Sequence, residues 1–362
     1  MKALCVAGCV LVVAQCAFAA PIIAEFVPWA TMDGGVNSDG VQGFAITGNS
    51  AYAALGPDGA QIVRVDDLAG AQTHAQLLDF ITWFIASGTA KLSCGKGFGI
   101  SGNYLQFADI QADAVWRVNR DTGDVLCYVA KQSVMDFTGQ SGVRMLSPQT
   151  VEPVTGEHIF YEGLSESILR TTGSNSVEFF VAAAVLSNWH SSSDVVGGMT
   201  HDGDGNLYFN RYLRMTNEFG VTNYFYAIQV RQTNGTIQTI LDETDFVPLT
   251  GSNVHIIGDI IYGGDGFVYV KTGSNTEGNL LRFDPANPAG TLAVFLSEDD
   301  LTNSVAASPY LDELGWYDTS ITWTKGGPNP IYRVVPEPVG GLAALALTIA
   351  AVVRAQGSGR NQ

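Results

Sequence analysis

A five-residue phrase, Ile62-Val63-Arg64-Val65-Asp66, returns in altered form five more times, and its spacing constrains the fold more than any other feature of the chain. The later copies are Val115-Trp116-Arg117-Val118-Asn119, Ile168-Leu169-Arg170-Thr171, Ala227-Ile228-Gln229-Val230, Leu280-Leu281-Arg282-Phe283-Asp284 and Ile331-Tyr332-Arg333-Val334. Measured at the central Arg, or at Gln in the fourth copy, successive steps are 53, 53, 59, 53 and 51 residues. A period near fifty residues marks an array of similar supersecondary units.

A second series keeps the same step. Turn-forming pairs fall at Gly48-Asn49, Gly102-Asn103, Gly156-Glu157, Gly205-Asn206, Asp265-Gly266 and Asp318-Thr319. The runs around them are β-branched, aromatic and aliphatic, so each unit is predicted to begin with a tight hairpin. Unit one reads as strands near 43–47, 51–55, 61–66 and 74–81, termed a, b, c and d. Unit two reads as strands near 98–101, 104–108, 114–119 and 124–130. Unit four carries an enlarged b-to-c connection from Arg211 to Asn223, which explains the longer step.

The sixth unit has strands a, b and c and stops near Val334, whereas the run from Ile22 to Trp29 reads as a strand with no hairpin partner of its own. A closed ring lets this early strand complete the last sheet and cover an otherwise open edge. The expected fold is therefore all-β: a six-bladed propeller over residues 20–335, closed by its N-terminal strand. An open solenoid is the competing architecture. The blade phrasing resembles six-bladed propellers of the NHL and SMP-30/gluconolactonase kind, and His201-Asp202-Gly203-Asp204-Gly205-Asn206-Leu207-Tyr208-Phe209 is the nearest local match. That resemblance bears on fold far more than on activity.

The 41 glycines and the 15% charged residues suit many short strands joined by turns, and an aliphatic and aromatic share of 46% is ample for a core. The net charge of −17 repels phosphate backbones and anionic lipid, so nucleic acid is not an expected partner.

The N-terminus reads as an export signal for the Sec translocon over residues 1–19. Lys2 supplies the positive start, Ala3 to Cys16 an apolar stretch, and Ala17-Phe18-Ala19 a small-x-small site with cleavage expected before Ala20. Cys5, Cys9 and Cys16 leave with it, and the exported chain keeps Cys94 and Cys127, either as one disulfide or as two buried thiols. At the other end, Val335-Pro336-Glu337-Pro338 precedes an apolar run from Val339 to Val353 and then Arg354. Residues 336–362 thus resemble the PEP-CTERM sorting signal of exopolysaccharide-producing Gram-negative bacteria. The resemblance implies recognition by exosortase and a temporary inner-membrane anchor, followed by delivery to the cell envelope or the extracellular space. The usual basic cluster at the end is reduced here to Arg354 and Arg360. Two prolines keep the triplet extended, and fifteen apolar residues fall short of the roughly 20 of an independent spanning helix.

In propellers the d-to-a and b-to-c loops gather at one mouth of the channel. The candidates there are His190, Asp194, Arg211, His255, Asp259 and Glu313. The lactonase resemblance implies a divalent cation such as calcium at that mouth, and Asp194, Asp259 and Glu313 are the carboxylates that could converge on it. Against this, with so many acidic residues some fall before inner strands by chance. Asp202-Gly203-Asp204-Gly205-Asn206 looks like the start of a calcium loop, but the terminal glutamate is replaced by Leu213, so a simple turn is the better reading. The recurring arginines read as structural devices. Trp83 and Trp189, in d-to-a connections, are the tryptophans to consider for stacking on a sugar. No nucleophile elbow, P-loop, His-Glu-x-x-His or dinucleotide motif occurs. The sequence favours a non-catalytic binding or structural module, with extracellular polysaccharide or envelope proteins as partners and no resident cofactor. A metal-dependent lactonase is the alternative.

Overall fold

The computed structural model describes residues 22–33, 40–56, 61–94, 98–186, 195–216, 222–250, 259–272, 278–304, 311, 314–324 and 330–335. The export signal with Ala17, Ala19 and Ala20, the sorting segment with Pro336, Glu337, Pro338 and Arg354, and the mouth candidates His190, Asp194, His255 and Glu313 lie outside these residues.

Among the described residues, twenty-four strands form six antiparallel four-stranded sheets. Blade one is β2 (Val41–Thr47), β3 (Ser50–Leu55), β4 (Gln61–Asp66) and β5 (Thr73–Leu78). Blade two is β6 (Gly99–Ser101), β7 (Tyr104–Asp109), β8 (Ala114–Asn119) and β9 (Val125–Val129), and blade three is β10 (Met145–Val151), β11 (His158–Glu162), β12 (Ser167–Gly173) and β13 (Ser176–Val181). Blade four is β14 (Val195–His201), β15 (Leu207–Thr216), β16 (Thr222–Arg231) and β17 (Ile237–Asp242). Blade five is β18 (Ile260–Tyr262), β19 (Val268–Lys271), β20 (Leu280–Phe283) and β21 (Ala293–Leu296). Blade six is β22 (Leu314–Tyr317), β23 (Ser320–Trp323) and β24 (Ile331–Val335), completed by β1 (Ile22–Val27). Neighbouring inner strands touch in order around the ring, and β2 meets β22 where it closes.

The closing strand behaves as a strand d in detail. Ile22 pairs with Val335 and Ala24 with Arg333, and the register slips so that Val27 faces Ile331 while Glu25 faces Tyr332. The same one-residue slip separates the residues two and one before the marker arginine in blades one, two, three and five. A bulge at a repeated position bends each outer strand by a similar amount, which is what a ring of like sheets requires.

Six hydrophobic clusters hold the ring, one at each junction between blades. Phe26, Val27 and Ile331 pack on Phe44, Val63 and Val65 between blades six and one. Ile62, Leu78 and Trp83 meet Phe107 and Trp116 between blades one and two. Further clusters join blades two and three, three and four, four and five, and five and six. Each apolar sheet face is buried against its neighbour, so no blade has a complete core alone. Inner strands approach closely at Gly315, where a Cβ would lie 2.5 Å from Phe44 Cε2. The predicted two-residue hairpins form in blades one, two and six, where Gly102 sits at φ 54° and Asp318 takes the same conformation, but in blades three, four and five the a-to-b connection is longer, spanning residues 152–157, 202–206 and 263–267.

Two expectations are corrected. Strand d of blade one ends at Leu78, because Asp79 caps a helix, α2 (Phe80–Ser87), by accepting from Thr82 N at 2.7 Å. Within the described residues the enlarged connection of blade four is ladder rather than loop: β15 and β16 stay paired out to the Thr216–Thr222 pair, with Arg211 opposite Ala227. Strand-favouring residues on both sides, Tyr212 and Leu213 opposite Tyr226 and Phe225, extend the hairpin.

Candidate functional site at the channel mouth

Antiparallel connectivity places all a-to-b and c-to-d turns on one face of the ring and all b-to-c and d-to-a connections on the other. Every d-to-a connection opens with a helix one or two residues after its strand: α1 (Trp29–Asp33), α2, α3 (Lys131–Thr138), α4 (Ala183–Leu186), α5 (Glu243–Thr250) and α7 (Glu298–Ser304). A further helix, α6 (Pro288–Thr291), lies in the c-to-d connection of blade five. Carboxylates at this mouth serve helix starts: Glu243 and Asp245 in α5, and Glu298, Asp299 and Asp300 in α7. Acidic groups there complement the exposed N–H dipoles.

Asp259 and Arg211 are the mouth candidates with described side chains. Asp259 precedes β18 and accepts from Leu314 N of blade six at 2.9 Å and from Ile260 N at 3.0 Å. It ties two inner strands together. Arg211 lies within β15, 1% exposed, and donates to the Leu186 carbonyl at 2.8 Å and to Gln229 Oε1 at 3.1 Å. Its place in an extended ladder, rather than a loop, turns it inward between α4 and the strand-c marker of its own blade. Arg211 is therefore not open at the mouth as the sequence suggested.

Two buried carboxylates were not singled out from sequence. Asp109 ends β7 and accepts from Ser93 N at 2.6 Å, Gln111 N at 2.9 Å and Ala112 N at 2.6 Å. Loss of water by burial raises its pKa to about 6 despite those donors. Glu162, at the same place in blade three, accepts from Arg144 N at 2.8 Å, Leu164 N at 3.0 Å and Ser165 N at 2.6 Å. Each closes its b-to-c turn and pins the preceding d-to-a segment. The signal was an acidic residue at the end of strand b followed by turn residues.

The marker arginines are structural, as expected, but the partner is more often an aromatic ring than a carboxylate. Arg117 stands 3.4 Å from the Tyr128 ring centroid, Arg170 5.2 Å from Phe180 and Arg282 4.9 Å from Phe295. Arg64 instead pairs with Asp66 at 2.8 Å and donates to the Arg120 carbonyl of blade two at 3.1 Å. Arg170 also binds Glu178 and Glu152.

The calcium-like sequence is a self-contained turn. Asp202 accepts from Asp204 N, Asn206 N, Asn206 Nδ2 and Tyr208 Oη. Beside it, on the turn face of blade four, a recess of about 110 Å³ is lined by Asn206, Tyr208, Gln232 and Gln238 together with Val230, Ile240 and Pro285. Among the described residues no group of three or more His, Cys, Asp or Glu is arranged to hold a metal. Likewise among them, no helix is long and apolar enough to cross a membrane.

Of the two alternatives at the cysteines, the structure holds free thiols: Cys94 is buried and Cys127, on β9, is half-buried. Trp83 is not a stacking platform. It is 0% exposed, donates to the Lys91 carbonyl at 3.0 Å and packs against Trp116 at 5.0 Å between ring centroids. Trp189 lies outside the described residues. Two histidines are buried without a hydrogen bond to either ring nitrogen, His158 and His201. Burial, reinforced by the Arg117 charge, lowers His158 to about 3. Burial lowers His201 to about 4, against the opposing charges of Glu152 and Asp202.

No protein-family model matches the chain, and no curated protein matches it. Solved structures do resemble it. A gluconolactonase from Xanthomonas campestris aligns over 89% of this chain and 93% of its own, at 13% identity and TM-score 0.53. The PQQ-bound aldose sugar dehydrogenase of Streptomyces coelicolor aligns over 87% and 99%, at 13% identity and TM-score 0.51. The chain spans 55% of a protein of unknown function from Bacteroides thetaiotaomicron, at TM-score 0.44. At such identities the likeness is one of fold: the chain is an all-β six-bladed propeller similar to those of SMP-30/gluconolactonase type.

Proposed function

We propose that the protein is an exported β-propeller that acts as a non-catalytic binding or structural module of the cell envelope or extracellular matrix. The observation that carries this reading is the engagement of Asp259 and Arg211 by the scaffold: the two described mouth candidates bind backbone carbonyls, amides and a blade amide side chain. Export and sorting rest on the terminal sequences. Sec-dependent passage removes residues 1–19, exosortase reads Pro336-Glu337-Pro338, and the segment ending at Arg354 holds the chain in the inner membrane until then. Extracellular polysaccharide and envelope proteins are the partners this placement offers. Intact-mass measurement of the mature protein tests the processing: residues 1–19 and the segment after Pro338 should be missing, and a retained tail overturns the sorting reading.

The alternative, a metal-dependent lactonase, draws on the likeness in fold to the gluconolactonase. It requires Asp194, Asp259 and Glu313 to share one cation, so a calcium-dependent lactonase activity in the purified protein would favour it over a binding module.

A further inference from the structure

We infer that, while its tail is anchored, the propeller holds its turn face toward the bilayer and presents the helix-bearing channel mouth away from it. The inference rests on the sorting reading for the anchor and on the ring closure for the geometry. Strand β24 is a strand c, so it runs from the mouth face to the turn face, and Val335 ends on the turn face. Strand β1 starts there, because Ile22 is the register partner of Val335. Both chain ends therefore leave the body at one corner of blade six, beside the Asp318-Thr319 turn that joins β22 to β23.

The tether is too short to let the body turn over. The four peptide links from Val335 to Val339, where the apolar run begins, reach no more than about 14 Å. Six-residue strands such as β3 and β4 separate the two faces by about 20 Å. The body can stand on its turn face or tip onto the rim of blade six. Neither posture brings α2 or α3, on the mouth face where blades one, two and three meet, to the lipid. Phe80, Ile81, Phe84 and Ile85, exposed on α2, thus face away from the membrane that holds the tail.

The test places a photo-crosslinking amino acid at Thr319 or at Ile85, both exposed, in the full chain reconstituted into phosphatidylcholine vesicles. Lipid adducts should form several-fold more efficiently from Thr319 than from Ile85. Equal yields, or more from Ile85, overturn the inference. A second variant, in which residues 339–353 are replaced by a spanning run of about twenty leucines and alanines, keeps the body anchored whatever the natural tail does. If the natural chain does not float with the vesicles, the anchor reading fails, and the adduct ratio in the second variant still decides the orientation.

Discussion

The guanidinium of Arg333 stands 4.6 Å from the ring centroid of Phe26, which joins the last strand of the described chain to the first. Arg333 faces Ala24 across the ladder, and Phe26 lies two residues beyond that partner. The same offset recurs elsewhere: Arg117 faces Leu126 and stacks on Tyr128, Arg170 faces Glu178 and stacks on Phe180, and Arg282 faces Ala293 and stacks on Phe295. An arginine over an aromatic two positions along strand d is thus a blade-building rule, and β1 obeys it from the far end of the sequence. Phe26 also enters the cluster that joins blade six to blade one, so one side chain serves both the sheet and the ring.

Phe26 is 5% exposed, and Phe26→Ala is expected to cost about 3–5 kcal/mol, by lost burial and the cavity left behind. Arg333→Ala should cost about 1 kcal/mol, the size of a partly exposed cation–π contact. Urea unfolding of both single variants and the double variant checks this, and the double variant should lose less than the sum because the two side chains share one contact. Strict additivity would mean that the pair does not interact.

Acid should destabilise the protein below neutrality. His158 and His201 titrate near 3 and 4 in the fold and near 6.5 when unfolded. Between those values the unfolded chain binds protons that the folded chain refuses, so stability falls with pH by about 1.4 kcal/mol per unit for each histidine. Asp109 works the other way. Its folded pKa is raised to about 6 from 3.8, so its contribution is present below the lower value and is lost as pH rises through the upper one. Two histidines against one carboxyl leave a net loss of stability on acidification. His158→Leu leaves one against one and should flatten the profile near about pH 5. Urea midpoints of wild type and variant at several pH values check this, and parallel profiles would show that His158 does not titrate as its burial implies.

The repeat, the turn pairs and the borrowed closing strand were legible in the sequence because each is local and periodic. Asp318-Thr319 stood where glycine-containing pairs stood in other units, and β1 stood unpartnered. The helices that open each d-to-a connection were not legible. Phe80–Ser87 is apolar all round, without the stripe that marks an amphipathic helix, and Asp79 as its cap gains meaning only once strand d is known to stop at Leu78. Arg211 was misplaced for a related reason: a long insertion looks the same whether it forms a loop or a ladder. The burial of His158 depends on two blades meeting, which no local pattern records.

Truncating Arg211 separates a scaffold role from a ligand-binding one. Arg211→Ala removes the donors to the Leu186 carbonyl and Gln229 Oε1 and should cost on the order of 3 kcal/mol. Arg211→Lys should recover only part, since one ammonium cannot reproduce the planar fork that reaches both acceptors. Thermal and urea unfolding of the two variants read this directly. An arginine held for a ligand would leave the stability of the free protein unchanged when truncated.

Asp259 offers the sharpest contrast between the two functional readings, because a cross-blade acceptor and a metal ligand respond differently to the same pair of substitutions. Asp259→Ala deprives Leu314 N of its acceptor and should lower stability by about 1–2 kcal/mol. Asp259→Asn keeps one acceptor oxygen but turns an NH2 donor toward the second backbone amide, so it should recover only part of that loss. A cation held by this carboxylate would add a separate signature: calcium would raise the unfolding midpoint of wild type by mass action, and both variants would lose that rise. Unfolding curves with calcium and with a chelator, taken on all three proteins, distinguish the cases. The binding-module reading expects no calcium dependence in any of them and a stability order of wild type, Asn, then Ala, since the two carboxylate oxygens accept from backbone amides of two blades, one each, and an amide side chain replaces only one of those acceptors.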